Sequence, residues 1–408
     1  MKTLLKISWR NIWRNRTRSL VIILAIVLGL MGGIFSVGMR LGIETQQFRE
    51  TVETQISHIQ LHHPEFIANP EARFRIENGL QLAAEMMEKP WVEVASPRTV
   101  FDGMIASANM NAGVRIKGID PELEILTTSL NELLEEGTYF EEEGRLPTII
   151  IGQRLARDIK AEVGSRIVLT FQDIHGEIVS ASFRVEGFYS VASPAFEERT
   201  VFLKADILNN LIGDSNAVNE IALLIHDLDH YREKTALLRE MHPNIEIRNW
   251  ADLAPSLYFS IEFLHQNMAW IVGIIILGVS FGLLNTILMS VLERVNELGV
   301  LMAIGMKRLK VFSMVVTETT LLSIVGGSLG LLLSWIMVVL LNINGIDMSG
   351  AGGEGLAEFG YSSLVFLEVP ASLYLDIGVM VVIFAILASV YPAWKAVRFA
   401  PAEAVRQE

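Results

Sequence analysis

The sequence predicts a membrane protein with four transmembrane α-helices and a large extracytoplasmic α/β domain between the first and the second helix. A mean hydropathy of +0.40 with 51% hydrophobic residues is too high for an ordinary soluble protein. The hydrophobic residues also concentrate in four nearly uncharged stretches, which we assign as spans at residues 19–39, 266–290, 311–341 and 374–394. Each stretch is long enough to cross about 30 Å of hydrocarbon at about 1.5 Å per helical residue.

The charges beside these stretches predict how the chain is oriented. Residues 1–18, which we interpret as an amphipathic helix, carry six basic and no acidic residues, whereas the loop 342–373 carries four acidic and no basic residues. Positive charge accumulates on the cytoplasmic side of membrane proteins. We therefore expect both termini, the link 291–310 and the tail 395–408 in the cytoplasm, and segments 40–265 and 342–373 outside.

Segment 40–265 has the composition of a folded α/β domain that carries most of the acidity. It holds 36 acidic and 20 basic residues, and the whole chain has a net charge of −13. Short β-rich runs alternate with helical runs. We predict strands at 92–97, 111–119, 148–151, 166–171, 180–185 and 200–203, helices at 79–87, 153–160, 205–211 and 229–241, and helical stalks at 43–60 and 257–266. Because the chain has no cysteine, disulfides, thiol chemistry and cysteine metal ligands are excluded, and nothing favours nucleic-acid binding.

The link 291–310 has an amphipathic pattern. Its apolar residues recur at helical spacing and its charged residues fall between and after them. The apolar set is Leu292, Val295, Leu298, Val300, Leu301 and Ile304, and the charged set is Glu293, Arg294, Glu297, Lys307, Arg308 and Lys310. The pattern predicts a short helix lying across the cytoplasmic mouth of the bundle, with its apolar side on the membrane. An ordinary cytoplasmic loop lying on the headgroups is the alternative interpretation.

Motifs for chemistry are scarce in this chain. The sequence contains no G-x-x-x-x-G-K-[ST], so the chain does not bind ATP through a P-loop. A zinc site would need its histidines to converge with a further ligand, and we interpret the histidines at 58, 62, 63, 226 and 230 as surface or turn residues. The glycine-rich stretch 349–355 lacks the lysine of a phosphate-binding loop and is interpreted as a flexible turn. We expect no cofactor and no metal in this chain.

Polar and glycine residues inside the spans are the remaining candidates. Glu318 lies in the third span, where an ionisable side chain is costly, and we favour an interhelical or structural role over proton transfer. Small residues four apart permit close helix contact, although glycine is also simply frequent in membrane helices. These pairs are Gly29 with Gly33, Gly278 with Gly282, and Gly326 with Gly330.

Several of these segments together resemble one family. The stretch ERVNELGVLMAIGMKR at 293–308 resembles the coupling-helix signature of the FtsX/MacB superfamily of ABC-transporter permeases. Glu318 falls where this family often has a glutamate, and Tyr391-Pro392-Ala393 followed by PAEAVR at 401–406 is similar to the family's closing motif. Residues 149–169 and 185–189 resemble its membrane-proximal cap. Met302 departs from the pattern, because the family frequently has an arginine there.

The resemblance implies a permease that works beside a separate ATPase, in which ATP and Mg²⁺ are bound. It implies two permease subunits, identical or different, and a coupling helix that docks on the ATPase. The residues that match this role are Glu293, Arg294, Glu297, Leu298, Gly299, Ala303, Gly305, Lys307 and Arg308.

The branch of the family is indicated by domain organisation. A separate permease of this length, with a large outer domain, looks most like the LolC/LolE type of the bacterial inner membrane, which extracts lipoproteins from the outer leaflet of that membrane. A lipoprotein substrate and a periplasmic chaperone are the further partners that this resemblance suggests. MacB-like efflux and FtsX-like signalling permeases are alternatives within the superfamily. A stand-alone membrane sensor without an ATPase partner is an alternative of another class.

Overall fold

The computed structural model describes residues 2–14, 16–108, 110–141, 144–348 and 364–398. These residues form two compact units. The helical unit comprises Met1–Glu44, Phe263–Asp347 and Leu364–Glu408, and the sheet unit comprises Thr45–Glu262 with Met348–Ser363. The glycine-rich turn at 349–355 and the closing motif at 401–406 lie outside the described residues.

The helical unit consists mainly of long helices, whereas the sheet unit consists of strands and short helices. The helices are α1 (Lys2–Arg14), α2 (Arg16–Phe48), α3 (Gly79–Met87), α4 (Pro121–Thr128), α5 (Gln153–Ile159), α6 (Pro194–Glu197), α7 (Ala205–Ile212), α8 (Tyr231–Met241), α9 (Trp250–Leu253), α10 (Pro255–Glu293), α11 (Val295–Ala303), α12 (Arg308–Leu341) and α13 (Ala371–Arg398). The strands are β1 (Ile59–His62), β2 (Val92–Ala106), β3 (Asn111–Ile119), β4 (Leu134–Gly137), β5 (Thr148–Gly152), β6 (Arg166–Gln172), β7 (Ile178–Tyr189), β8 (Thr200–Lys204), β9 (Glu220–Ile225), β10 (Glu246–Asn249), β11 (Ile346–Asp347) and β12 (Leu364–Val365). A π-helix, Arg49–Ile56, continues α2 directly.

Three helices among the described residues are long and apolar enough to cross a membrane. They are Ser19–Ile56, α12 and α13. The second predicted span, 266–290, lies within α10, a helix of 39 residues. Within it, Ser280–Glu293 is an apolar stretch shorter than a membrane span. Three of the four predicted spans are therefore confirmed as apolar helices, and the count of four stays a prediction.

The helical unit has its own apolar core, in which α2 packs closely on α12. Glycines allow this approach: a Cβ atom added to Gly330 would lie 2.7 Å from Leu30 Cδ1 and 3.3 Å from the backbone of Val27. One turn earlier, a Cβ on Gly326 would lie 3.0 Å from Ile26 Cδ1. The pair Gly326/Gly330 thus sits at a helix–helix contact of the kind that small residues permit.

The sheet unit is a mixed α/β domain. Within the described residues its ten strands run in the order β10-β1-β9-β2-β3-β8-β5-β7-β4, and β6 pairs with both β2 and β7. The first half of β2 pairs with β9 and its second half with β3 and β6, so one long strand joins two parts of the sheet. Each part has a separate buried core, one around Phe101, Ile116 and Phe183 and one around Leu61 and Leu223.

The six strands and four helices predicted in this domain are all present, with ends shifted by a few residues, most of all at β2 and β7. One stalk prediction was wrong in part. Residues 43–60 were expected to be helical, but the helix ends at Ile56 because Ser57 has a φ of 64°, and Ile59 already begins β1. The strands β1, β4, β9 and β10 were not predicted, since three are four residues long and Glu220–Ile225 is a buried run without alternation.

Candidate functional site

The predicted coupling segment 291–310 contains a helix of nine residues, and the helical backbone is interrupted on each side of it. Helix α10 continues to Glu293, and Arg294 interrupts it with a φ of −108° and a ψ of 13°. Helix α11 follows, and Gly305 then adopts a φ of +98° before α12 begins. Side chains with a Cβ disfavour such an angle, so glycine permits the turn between α11 and α12.

Helix α11 has two faces of different character. Leu298 is 4% exposed and belongs to the core of the helical unit, and Gly299 is also buried. Val300 and Ile304 are 50% and 77% exposed. The amphipathic pattern predicted Val300 and Ile304 on the same apolar side as Leu298. This prediction was wrong, because two residues along an α-helix correspond to a rotation of about 200°.

The outer face of α11, which we define as Asn296, Glu297, Val300 and Ala303 with the adjoining Ile304, therefore mixes exposed apolar and polar side chains. Three charged residues of the predicted site are exposed beside it, namely Glu293 at the end of α10 and Lys307 and Arg308 at the start of α12. An exposed apolar patch rimmed by charge is typical of a surface that binds another protein.

A chain of ion pairs links this segment to two other helices of the helical unit. Arg294 Nη1 lies 3.2 Å from Glu318 Oε1 and 3.3 Å from Glu318 Oε2, and Arg294 Nε lies 3.1 Å from Glu297 Oε2. Arg14 Nη2, at the end of α1, donates to Glu297 Oε1. Four charged side chains from α1, α11, α12 and the link before α11 thus form one cluster, the charge chain.

The links of the charge chain differ in burial, and therefore in strength. The side chains of Arg294 and Glu318 are 17% and 12% exposed, whereas Arg14 is 62% exposed. Removing one partner of a buried pair is costly because it leaves an uncompensated charge, while exposed pairs contribute little. Partial burial alone would raise the pKa of Glu297, but the hydrogen bond and charge of Arg294, together with the charge of Arg14, lower it.

A small cavity of about 20 Å³ adjoins the buried pair. Arg294, Leu298 and Glu318 line it together with apolar side chains of α2, α10 and α12. The volume is that of one water molecule, which would find polar partners in the Arg294–Glu318 pair.

The structure brings together some of the predicted site residues and leaves others apart. Arg294 contacts both Glu297 and Glu318, and Leu298 lines the same cavity as Arg294 and Glu318. Ala303, Gly305, Lys307 and Arg308 are exposed around them. Arg14 was not predicted, because nothing in the spacing of residues 1–18 indicates which arginine meets a segment almost 300 positions later.

The glycine pairs also separate into different environments. Gly29 is half-buried and Gly33 is buried in α2. Gly278 and Gly282 of α10 are exposed, and a Cβ on either would meet no heavy atom within 4 Å in the part of the chain that the structure describes. Only Gly326 and Gly330, among the predicted pairs with described neighbours, stand at a close helix contact.

His58 and His62 are buried and hydrogen-bonded in the sheet unit, so the interpretation of these two histidines as surface or turn residues was wrong. His62 is buried, with Nε2 2.9 Å from Gln60 Oε1 and Nδ1 3.2 Å from the carbonyl oxygen of Asn219. His58 Nδ1 accepts the backbone N–H of Ile225 at 3.0 Å. Across the described residues, no three histidine or acidic side chains are grouped as metal ligands would be.

Long apolar helices, a short two-faced helix between two of them and a separate α/β unit define a membrane protein of the transporter-permease class. Comparison with protein families supports this class over most of the chain. Residues 19–233 match the family described as MacB-like periplasmic core domain, and residues 269–401 match the FtsX-like permease C-terminal family. The chain belongs to the FtsX/MacB superfamily of ABC-transporter permeases.

Individual relatives are distant in sequence. The macrolide export ATP-binding/permease protein MacB of Bdellovibrio bacteriovorus is 24% identical over 339 residues, which cover 78% of this chain and 47% of that protein. The lipoprotein-releasing system transmembrane protein LolE of Haemophilus influenzae is 22% identical over 366 residues, which cover 84% of each chain. The crystal structure of the extracellular domain of the noncanonic ABC-type transporter YknZ matches 47% of this chain and 99% of that domain, with 15% identity and a TM-score of 0.33.

Proposed function

We propose that this chain is the permease subunit of an ABC transporter that converts ATP hydrolysis by a separate ATPase into motion of a periplasmic domain, and that it extracts lipoproteins from the inner membrane. The similarity to LolE extends over 84% of both chains, whereas the MacB relative is more than twice as long as the matched part. The equal coverage of both chains favours the relation to LolE. ATP and Mg²⁺ would bind in the partner ATPase.

The proposal includes a topology and an assembly. Four spans would cross the bacterial inner membrane, with both termini and α11 in the cytoplasm and the sheet unit in the periplasm. A second permease subunit, two ATPase subunits and a lipoprotein substrate would complete the transporter, with a periplasmic chaperone as the acceptor. The basic flanks of the apolar stretches support this orientation.

The observation that carries the proposal is the arrangement of α11. Its outer face offers exposed Val300 and Ile304 to a partner protein, and its inner side is attached to α12 through Leu298 and the Arg294–Glu318 pair. A displacement of α11 by an ATPase would therefore move α12 directly. In an ordinary surface loop, neither the buried ion pair nor the exposed apolar residues would be needed.

The test is reconstitution of the permease with its ATPase in nanodiscs. We expect a triacylated lipoprotein to bind and to change ATP turnover, and we expect Glu297→Lys and Gly305→Pro to abolish this coupling while expression is maintained. Glu297→Lys reverses a charge of the charge chain, and Gly305→Pro cannot adopt the φ of +98°. Glu240→Lys, an exposed charge reversal in α8, is the matched control.

Full coupled activity in both variants would contradict the role of α11. ATP turnover by the assembled transporter that does not respond to a lipoprotein would instead contradict the proposed substrate. Residues 19–233 match the MacB-like core domain, which favours efflux of a small molecule as the second candidate, and a macrolide added to the same nanodiscs tests it. A chain that purifies without any ATPase would support the sensor hypothesis.

A further inference from the structure

The π-helix Arg49–Ile56, which we call the stalk end, terminates inside the sheet unit in an unusual way. Ser57 reverses the backbone with a φ of 64°, and its N–H donates to the carbonyl oxygen of Val52 at 2.6 Å. The last carbonyl groups of any helix lack partners within the helix, and in a π-helix the hydrogen bonds span five residues. The carbonyl groups of Gln55 and Ile56 therefore need other donors.

Two side chains of the sheet supply these donors. Lys117 Nζ, on β3, lies 3.2 Å from the carbonyl oxygen of Gln55, and Gln60 Nε2, on β1, donates to the carbonyl oxygen of Ile56. A positive charge at the carboxyl end of a helix also interacts favourably with the helix dipole. The sheet thus binds the stalk end through one charged and one neutral hydrogen bond. Ser57 Oγ also donates to the carbonyl oxygen of Ile56, and Val52 packs in a small apolar core with Trp250 and Leu257.

Lys117 belongs to a buried cluster whose charges balance. Arg98 Nε and Nη2 lie 2.9 and 2.8 Å from the two carboxylate oxygens of Glu124, and Arg98 Nη1 lies 2.9 Å from Glu220 Oε1. Lys117 is 6% exposed and Glu220 is 5% exposed. Two cations and two anions leave no net charge that would attract an ionic ligand, so the cluster is suited to fixing positions.

Burying this ammonium group is expensive. Burial lowers the pKa of Lys117 to about 8, although the charges of Glu220 and Glu124 raise it. Buried ion pairs are often no more stabilising than apolar side chains of similar size, and a methionine would have the length of lysine without this cost. A requirement for a donor at the Gln55 carbonyl group explains a lysine at this position.

We propose that Lys117 is a positioning residue that clamps the stalk end to the sheet. Through this attachment, a displacement of the stalk would move the sheet unit with it. The proposal rests on the proposed function, in which motion travels from the membrane to the periplasmic domain. Its geometrical part, the clamp itself, concerns the sheet unit alone.

The first experiment measures the clamp without substrate or ATPase. Because the chain has no cysteine, spin labels can be placed specifically at Glu53→Cys in the stalk end and Asp206→Cys in α7, both exposed. Electron–electron distance measurements on the full chain in nanodiscs should give a narrow distribution. Lys117→Met should raise the detached population by about tenfold or more, the change expected for losing one charged hydrogen bond.

Two further variants keep this result interpretable. Lys160→Met removes an exposed lysine of the same unit and should leave the distribution narrow. Lys117→Met combined with Glu220→Gln keeps the cluster neutral, so the fold is retained while the clamp is missing, and its distribution should be as broad as that of Lys117→Met. Narrow distributions in both Lys117 variants would overturn the clamp.

Measuring the distance distribution at several pH values distinguishes a role of the Lys117 charge from a role of its side-chain packing alone. Lys117 is charged below about pH 8 and neutral above it, so the distribution should broaden between about pH 7 and about pH 9 in the parent protein and stay constant in Lys117→Met.

The charged groups that face Lys117 are Glu220, Glu124, Arg98, Arg115 and His62. Burial alone would raise the pKa of Glu220, but Lys117 and Arg98 lower it to about 2, and burial lowers the pKa of His62. An unchanged distribution in the parent protein would contradict the role of the charge.

The second experiment concerns transmission and uses the complete transporter. Lys117→Met should retain ATP turnover while substrate moved per ATP falls by about tenfold. Unchanged coupling despite a broadened distribution would overturn the transmission role. Absence of any ATPase-driven transport in the parent protein would contradict the proposed function instead, and the distance measurements on the chain alone would still decide the clamp.

Discussion

At the scale of single residues, the Arg294–Glu318 pair is the feature with the clearest consequence. Glu318 lies in an apolar helix, where a carboxylate is tolerated when a partner compensates its charge. Arg294 supplies that partner from the link before α11 and also reaches Glu297. The favoured interpretation of Glu318 as an interhelical residue agrees with this contact, although its role in coupling stays a prediction.

A charge exchange tests this pair. We expect Arg294→Glu and Glu318→Arg each to lower coupled ATP turnover by about tenfold, since each places like charges together in a buried site. The double exchange restores the opposite pair with position 318 but places an acidic side chain beside Glu297, so it should recover part of the loss, as measured by lipoprotein-dependent ATPase activity in nanodiscs. A double variant no better than the two single variants would show that the ion pair itself is not required.

At the scale of secondary-structure elements, the contact between α2 and α12 depends on glycine at one side of α12. The neighbours of Gly330 include the backbone of α2, whereas a Cβ on Gly327 would meet no described heavy atom within 4 Å. Two glycines of one helix therefore offer a matched pair of sites with the same intrinsic helix preference.

Valine substitutions should separate the two sites. Gly330→Val should destabilise the protein by about 1–3 kcal/mol relative to Gly327→Val, because the added side chain forces α2 away. Thermal unfolding of the purified protein in detergent measures the difference. Equal midpoints for the two variants would contradict a close contact at Gly330.

At the scale of the whole molecule, the charge asymmetry makes the orientation testable. Asp206→Cys in the sheet unit and Ile304→Cys on the outer face of α11 are exposed positions in a chain without cysteine. If the sheet unit is periplasmic, a membrane-impermeant maleimide that passes the outer membrane should label only Asp206→Cys in intact cells, and both variants after lysis. Labelling of Ile304→Cys in intact cells would place the proposed coupling helix on the wrong side and contradict the proposed function.

Sequence patterns were informative for the features that depend only on residues within one helix or strand. Apolar length indicated the helices, and alternating short runs indicated the strands from Asn111–Ile119 to Thr200–Lys204. These features depend on neighbouring residues, so periodicity reports them directly. The four-residue strands β1, β4 and β10 are too short for a period to be recognised, and the stalk was predicted too long because no local signal marks the positive φ of Ser57.

The sequence by itself determined the class of this protein: apolar stretches of span length, basic flanks, an acidic α/β segment and the signature at 293–308. The tertiary structure alone decided which side chains meet. Arg14 reaches Glu297 across 283 positions, Lys117 reaches the stalk end, and Val300 and Ile304 face away from Leu298. The physical reason is that hydropathy and periodicity act within a few helical turns, whereas an ion pair or a helix cap depends on where distant segments are packed.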